Sequence, residues 1–111
     1  MTTSILNDVK HVLGIGEDVH DFDQDLIMLI NSQFATLHQL GVGPGVGFQI
    51  TGATEQWSDF VDDVRLNSVK SYVYLRVKII FDPPGTGFVI AAMERQIAEL
   101  EYRINVVVDY G

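Results

Sequence analysis

A chain of 111 residues and 12.4 kDa, 47% hydrophobic and 20% charged, suits one domain with a core of its own and argues against a two-domain enzyme. The absence of cysteine excludes disulfide frameworks, thiolate zinc sites, iron-sulfur clusters and cysteine catalysis. Seven basic residues against fifteen acidic ones, a net charge of -8, argue against binding the nucleic-acid backbone, whose affinity comes from Lys and Arg displacing counterions.

The first predicted helix, about 4–13, sets Ile5, Val9 and Val12 or Leu13 on one side and ends at Gly14 and Gly16. The second, about 22–40, is the clearest element. Phe22, Leu26, Leu29, Ile30, Phe34, Leu37 and Leu40 fall in one arc, with Asp25, Asn31, Ser32 and Gln39 outside it. Gln33 lies near the centre of that arc, so its amide needs a partner in the core and reads as a structural hydrogen-bonding group. Two caps suit its start: Asp21 with Gln24 as a capping box, or Asp23 with a Phe22/Ile27 staple.

Gly41 stops this helix, and GVGPGVGFQITGAT, with four of the ten glycines between 41 and 47, predicts a mobile loop or a small hairpin in which Phe48 and Ile50 form a short strand. From about 54 to 64, Trp57, Phe60, Val61 and Val64 have helical spacing. The next segment, SVKSYVYLRVKIIF, reads two ways. Val73, Leu75, Val77 and Ile79 alternate as in a strand, whereas Val69, Tyr72, Val73, Val77 and Ile80 share a helical arc. Asp82-Pro83-Pro84-Gly85 breaks the chain. The last predicted helix, about 87–105, repeats Ile90, Met93, Ile97, Leu100 and Ile104 as a narrow seam. After it, Val106, Val107, Val108 and Tyr110 form a β-prone apolar tail that either docks on another protein or folds back on its own domain. The expected division is a helical domain over 1–105, with a flexible loop over about 41–56, and a docking tail over 106–111.

Charge divides the chain unevenly: residues 1–64 hold ten acids and only Lys10 as a base, net -9, and residues 65–111 hold six bases and five acids, net +1. An acidic surface of this kind keeps polyanions away or attracts a basic partner. The opening MTTSILNDVK has no basic n-region or apolar h-region, and the longest uncharged stretch, 26–54, is interrupted by polar residues and a Gly/Pro cluster, so neither a targeting segment nor a membrane span is expected.

Motifs for chemistry are weak. GVGPGVG follows a helix instead of a strand and lacks the Gly-Lys-Ser/Thr or G-x-G-x-x-G pattern of a phosphate cradle. Asp21-Phe22-Asp23-Gln24-Asp25 opens like a calcium loop but has Leu26 and Ser32 where Gly and Glu are required, so it reads as an acidic helix start. His11, His20 and His38 lack metal-ligand spacing, and Asp59 with Asp63 reads as two exposed acids one turn apart. No G-x-S-x-G elbow is present. Neither catalytic residues, cofactor nor metal are expected, and an enzyme is the third reading. Arg76, central to the apolar arc of its segment if that segment is helical, predicts a structural ion pair with Glu94 or Glu101.

Three stretches together, INSQFATLHQLGVGP, DDVRLNSVKSYVYLRVKIIFDPP and FVIAAMERQIAELEYRINV, resemble the head-tail connector (adaptor) family of tailed bacteriophages, and the opening ILNDVKHVLGIGEDVHDFDQD also fits. The resemblance implies that SVKSYVYLRVKIIF is helical. It further implies a ring, usually dodecameric, below the capsid portal at the virion head-tail interface, assembled in the host cytoplasm, extending the DNA channel and receiving a stopper or tail-completion protein. In such a protein Val106, Val107, Val108 and Tyr110 would dock on the portal protein. The loop of Gly41, Gly43, Pro44, Gly45, Gly47 and Phe48 would order toward the lumen or a partner, and double-stranded DNA would pass without specific binding. An acidic half agrees, since like-charged walls let phosphates slide past. The expected fold is all-α, a small bundle of four or five helices with a Gly-rich loop or short β-hairpin after the second helix and an extended C-terminal tail. The alternative is a small acidic helical binding module for a basic protein partner.

Overall fold

The computed structural model of the chain describes residues 3–44, 47–61 and 66–110, except for the side chains of 106–110. Within these residues the fold is all-α: α1 (Ile5–Val12), α2 (Asp23–Gln39), the single turn α3 (Trp57–Phe60), α4 (Leu66–Phe81) and α5 (Gly87–Tyr110).

Each helix has a local cause. Ser4 caps α1, its hydroxyl accepting from Asn7 N at 3.2 Å, and Gly14 takes a φ of 78° to turn the chain out of it. The stripe predicted on α2 holds from Leu26 to Leu37, with Leu26, Ile30, Phe34 and Leu37 fully buried and each contributing about 1.5–3 kcal/mol relative to exposure, whereas Leu29 and Leu40 are half-buried and Phe22 at its start is exposed. Neither predicted cap is used. Phe22 occupies the N-cap without a side-chain bond, because the Asp23 carboxylate is committed to Lys10 and His20. The reading of SVKSYVYLRVKIIF as helix holds, and α4 buries Val69, Tyr72, Val73 and Val77 between α2 and α5.

Between α2 and α3 the chain makes no ladder; among the described residues the only bridge joins Ser4 to Gln56. The expected strand of Phe48 and Ile50 is replaced by a side-chain mimic of one. Asn31 Nδ2 donates to Ile50 O at 3.0 Å while Ile50 N donates to Asn31 Oδ1 at 2.7 Å, so one amide satisfies both backbone groups. Thr51 N and its hydroxyl donate to the Glu55 carboxylate at 3.0 and 2.8 Å. Burial pushes that carboxyl up, but the Thr51 and Gly52 bonds outweigh it and hold the group below its ordinary range. Gly43, at φ 96°, lies so close to Phe60 that a Cβ would stand 2.5 Å from the ring.

Trp57 ties the loop to the helices. It is fully buried, its Nε1 donates to Asp8 Oδ2 at 2.8 Å, and its ring meets Tyr74 edge-on at 5.7 Å. Thr3 donates to the same Asp8 carboxylate, and Ile5 N donates to Glu55 O at 3.1 Å. The predicted helix over 54–64 is therefore one turn, begun by Gln56 N donating to Asp59 Oδ2 at 2.8 Å and ended at Val61, which is extended. Asp62, Asp63 and Val64 lie outside the described residues.

Candidate assembly surfaces

The connection between α4 and α5 is short, so the two helices run antiparallel, and α5 packs chiefly on α4. Ile97, Leu100 and Ile104 of the predicted seam are buried, and Ile90 and Met93 are half-buried. Nothing in residues 87–96 is fully buried.

Arg76 does not make the expected ion pair. Its Nε donates to Gln33 Oε1 at 2.8 Å, whereas Glu101 accepts from the Tyr72 hydroxyl at 2.7 Å. Arg76, Glu94 and Glu101 still share the walls of a cavity of about 240 Å³. The reason lies in α2: Gln33, 1% exposed, has an amide oxygen that must be paired, and the half-buried guanidinium supplies the donor. Gln33 thus has the structural role predicted for it. The Tyr72 hydroxyl is held neutral far up its range by burial and by the adjoining Glu101 carboxylate.

Lys10 is the residue whose role sequence reasoning missed. The only base in the acidic half is 1% exposed; its Nζ lies 2.9 Å from Asp23 Oδ1 and donates to Glu17 O at 3.2 Å. His20 Nδ1 adds a contact to Asp23 Oδ2 at 2.8 Å. Lys10 first and His20 second hold the Asp23 carboxyl below its ordinary range. Its position one turn after Leu6 and one turn before Leu13, on the side of α1 that packs on the core, was the one available signal.

The loop expected to be mobile is anchored on both sides of residues 45 and 46. Val42 and Ile50 are buried, and Phe48 meets Phe34 at 5.2 Å and Phe60 at 5.4 Å. Gly41, Gly43, Pro44 and Gly47 lie on this anchored segment; Gly45 lies outside the described residues. A groove of about 510 Å³ runs beside it, with Phe34 and Phe48 in its wall and His38 and Gln49 at its edge.

The extended C-terminal tail is corrected: α5 continues to Tyr110. No Gly or Pro intervenes between Asn105 and Tyr110, and the few tenths of a kcal/mol that each Val loses in a helix do not stop one already propagating. Residues 106–110 are therefore helical in backbone, and the side chains of Val106, Val107, Val108 and Tyr110 lie outside the described residues.

Exposed apolar side chains remain: Phe88 at 82%, with Val89, Ile80, Phe22 and Val19 near the same end of the bundle, and Met28 and Tyr102 elsewhere. His11, His20 and His38 are exposed, and among the described residues no group of three or more His, Asp or Glu could hold a metal. No helix of the described residues is long and apolar enough to cross a membrane.

The fold is thus an all-α bundle whose longest helix buries Ile97, Leu100 and Ile104 and leaves residues 87–96 without a fully buried side chain. The family model described as phage connector protein matches residues 5–111, and the chain belongs to that family. No curated protein and no solved structure matches it. It is a bacteriophage head-tail connector protein, of a family that is structural and that associates with portal and tail proteins at the virion head-tail interface.

Proposed function

We propose that this connector forms a ring of identical subunits, dodecameric in keeping with the family resemblance, beneath the portal protein. The ring extends the DNA channel and offers a platform to a stopper or tail-completion protein. The observation that carries this reading is α5: a 24-residue helix that buries Ile97, Leu100 and Ile104 against its own domain and leaves its first ten residues without one fully buried side chain. A helix so sparsely covered is stable when a neighbour completes its packing. Copies that meet through two different faces close into a ring when the rotation between them allows it.

In this reading Val106, Val107, Val108 and Tyr110, at the far end of α5, dock on the portal protein. The segment from Gly41 to Phe48 faces a partner protein or the lumen. The acidic half of the chain, net -9 over residues 1–64, lets double-stranded DNA pass without specific binding. Assembly takes place in the host cytoplasm.

Size exclusion with light scattering, together with negative-stain imaging, tests this on the protein alone and mixed with its portal protein. Rings, or co-elution with the portal protein that disappears when residues 106–111 are removed, are the expected result. A monomer indifferent to the portal protein overturns the reading and favours an acidic binding module for a basic partner.

A further inference from the structure

At one end of the bundle α2 begins, α4 ends and α5 begins. The Phe22 and Phe81 rings, 5.5 Å apart and edge to face, join the first two, and only residues 82–86 separate α4 from α5. Five exposed apolar side chains gather there: Val19, Phe22, Ile80, Phe88 and Val89. From Thr86 to Met93 the chain carries no charge. Water-exposed aromatic and aliphatic groups concentrated at one place are the mark of a contact surface, because each gains roughly 25 cal/mol per Å² when covered.

The charge around these residues says what covers them. Glu17, Asp18, Asp21, Asp25 and Asp82 are exposed near the same helix ends. The two cations of this region are already committed, Lys10 to Asp23 at 2.9 Å and Lys78 to Asp82 at 2.8 Å. Among the described residues no ion pair compensates Glu17, Asp18, Asp21 or Asp25. A second copy meeting this end by a two-fold axis would set acid against acid, which costs affinity. A ring neighbour meeting it through a different face has no strongly basic surface to offer either, since residues 65–111 are only net +1, so the complementary occupant is a different protein.

We infer that this end of the bundle is the docking surface for a tail-side protein that presents an apolar pocket ringed by Lys and Arg, with Phe88 as the inserted anchor. The choice of side rests on the connector reading above. A 24-residue helix spans about 36 Å at 1.5 Å per residue, so Phe88 stands a helix length away from residues 106–110, the proposed portal contact. A connector joins two partners, and its two ends are the places to do so.

The test uses the full chain and two purified probes encoded in the same viral genome, the portal protein and the tail-side protein, with binding titrated at low and high salt. Phe88→Ser should weaken the tail-side complex about 30-fold and leave portal binding unchanged, as loss of a central aromatic anchor does. Asp21→Asn combined with Asp25→Asn should weaken it about 5-fold at low salt and flatten its salt dependence. Val89→Ser serves as a second, milder variant, and far-UV circular dichroism should match wild type in all three.

Wild-type binding to the tail-side protein that is indifferent to Phe88 and to the two aspartates overturns this surface and leaves the connector reading standing. So does a loss confined to portal binding, or a Phe88→Ser effect seen only in the self-association mass. Wild-type protein that binds neither probe overturns the connector reading, and this inference falls with it.

Discussion

Helices α2 and α5 are the two longest elements, and they use their sequences differently. α2 is packed by α1 and α4, and Phe34 on it meets Phe48, Trp57 and Phe60 from the loop and α3. Leu26, Ile30, Phe34 and Leu37 of its apolar stripe are spent entirely inside the domain. α5 rests chiefly on α4 along Ile97, Leu100 and Ile104, and its apolar opening Phe88-Val89-Ile90 is exposed or half-buried. The same kind of periodicity thus serves folding in one helix and association in the other. What differs is whether another element of the chain is available to cover it.

Substitutions sharpen this contrast, beginning at the packed side. Phe34→Ala should cost about 3–5 kcal/mol in denaturant unfolding, because it opens a cavity where three aromatic neighbours converge. A cost under about 1 kcal/mol would show that the Phe34 cluster is not the centre of the core.

Lys10→Met should cost about 2–4 kcal/mol, since it strips a largely buried carboxylate of its cation and leaves the Glu17 carbonyl without a donor. Adding Asp23→Leu should recover much of that loss. The same pair sets the acid limb of stability. Asp23 is held below its ordinary 3.8, so its contribution is complete above that value and is lost as pH falls through the depressed folded value. Urea midpoints measured from neutral pH down to the acid transition should show a shallower limb in Lys10→Met than in wild type; identical limbs would mean that the pair does not set it.

At the alkaline side Tyr74 is pushed up to about 12 by burial and secondarily by Asp8, whereas an unfolded tyrosine titrates at its ordinary 10.0. Folding therefore keeps the phenol neutral, and stability should fall as pH rises from 10.0 toward about 12. Tyr74→Phe should flatten that fall in thermal melts.

Gly43→Ala should cost about 1–3 kcal/mol, because φ at 96° strains any L side chain and the new Cβ meets Phe60. Smallest of all, Phe88→Ser should move the unfolding free energy of the isolated domain by no more than about 0.5 kcal/mol. A large destabilisation there would erase the distinction between the two helices and return Phe88 to the core.

Much of this architecture was legible from periodicity. The α2 stripe, the Ile97/Leu100/Ile104 seam, the Asp82-Pro83-Pro84 break and the structural role of Gln33 follow from spacing and from the need to pair buried polar groups. The two readings of SVKSYVYLRVKIIF stayed open because β-branched residues satisfy both a period of 2 and an arc of 3.6 over so short a run. The resemblance to connectors chose helix, and the packing of Val69, Tyr72, Val73 and Val77 shows why it holds. The candidate sites were less legible. Arg76 pairs with Gln33, 43 residues away, instead of with an acid of α5. Which polar group reaches it depends on how α2 and α4 cross, and spacing within either helix carries no information about that.

The sequence by itself determined that this chain is a single all-α unit of phage connector type, with a predominantly acidic first part and no cysteine chemistry. The charge division and the lack of cysteine chemistry follow from composition, whereas the connector type and the helical reading of SVKSYVYLRVKIIF rest on the resemblance of whole stretches to that family. Only the tertiary structure decided that Lys10 is buried against Asp23, that Asn31 serves Ile50 as a strand would, and that Trp57 is held by Asp8 from 49 residues away. It also decided which apolar residues were left outside. Burial is a property of what the rest of the chain covers, and a helix written with a full apolar face shows its function only once the neighbours that fail to cover it are in place.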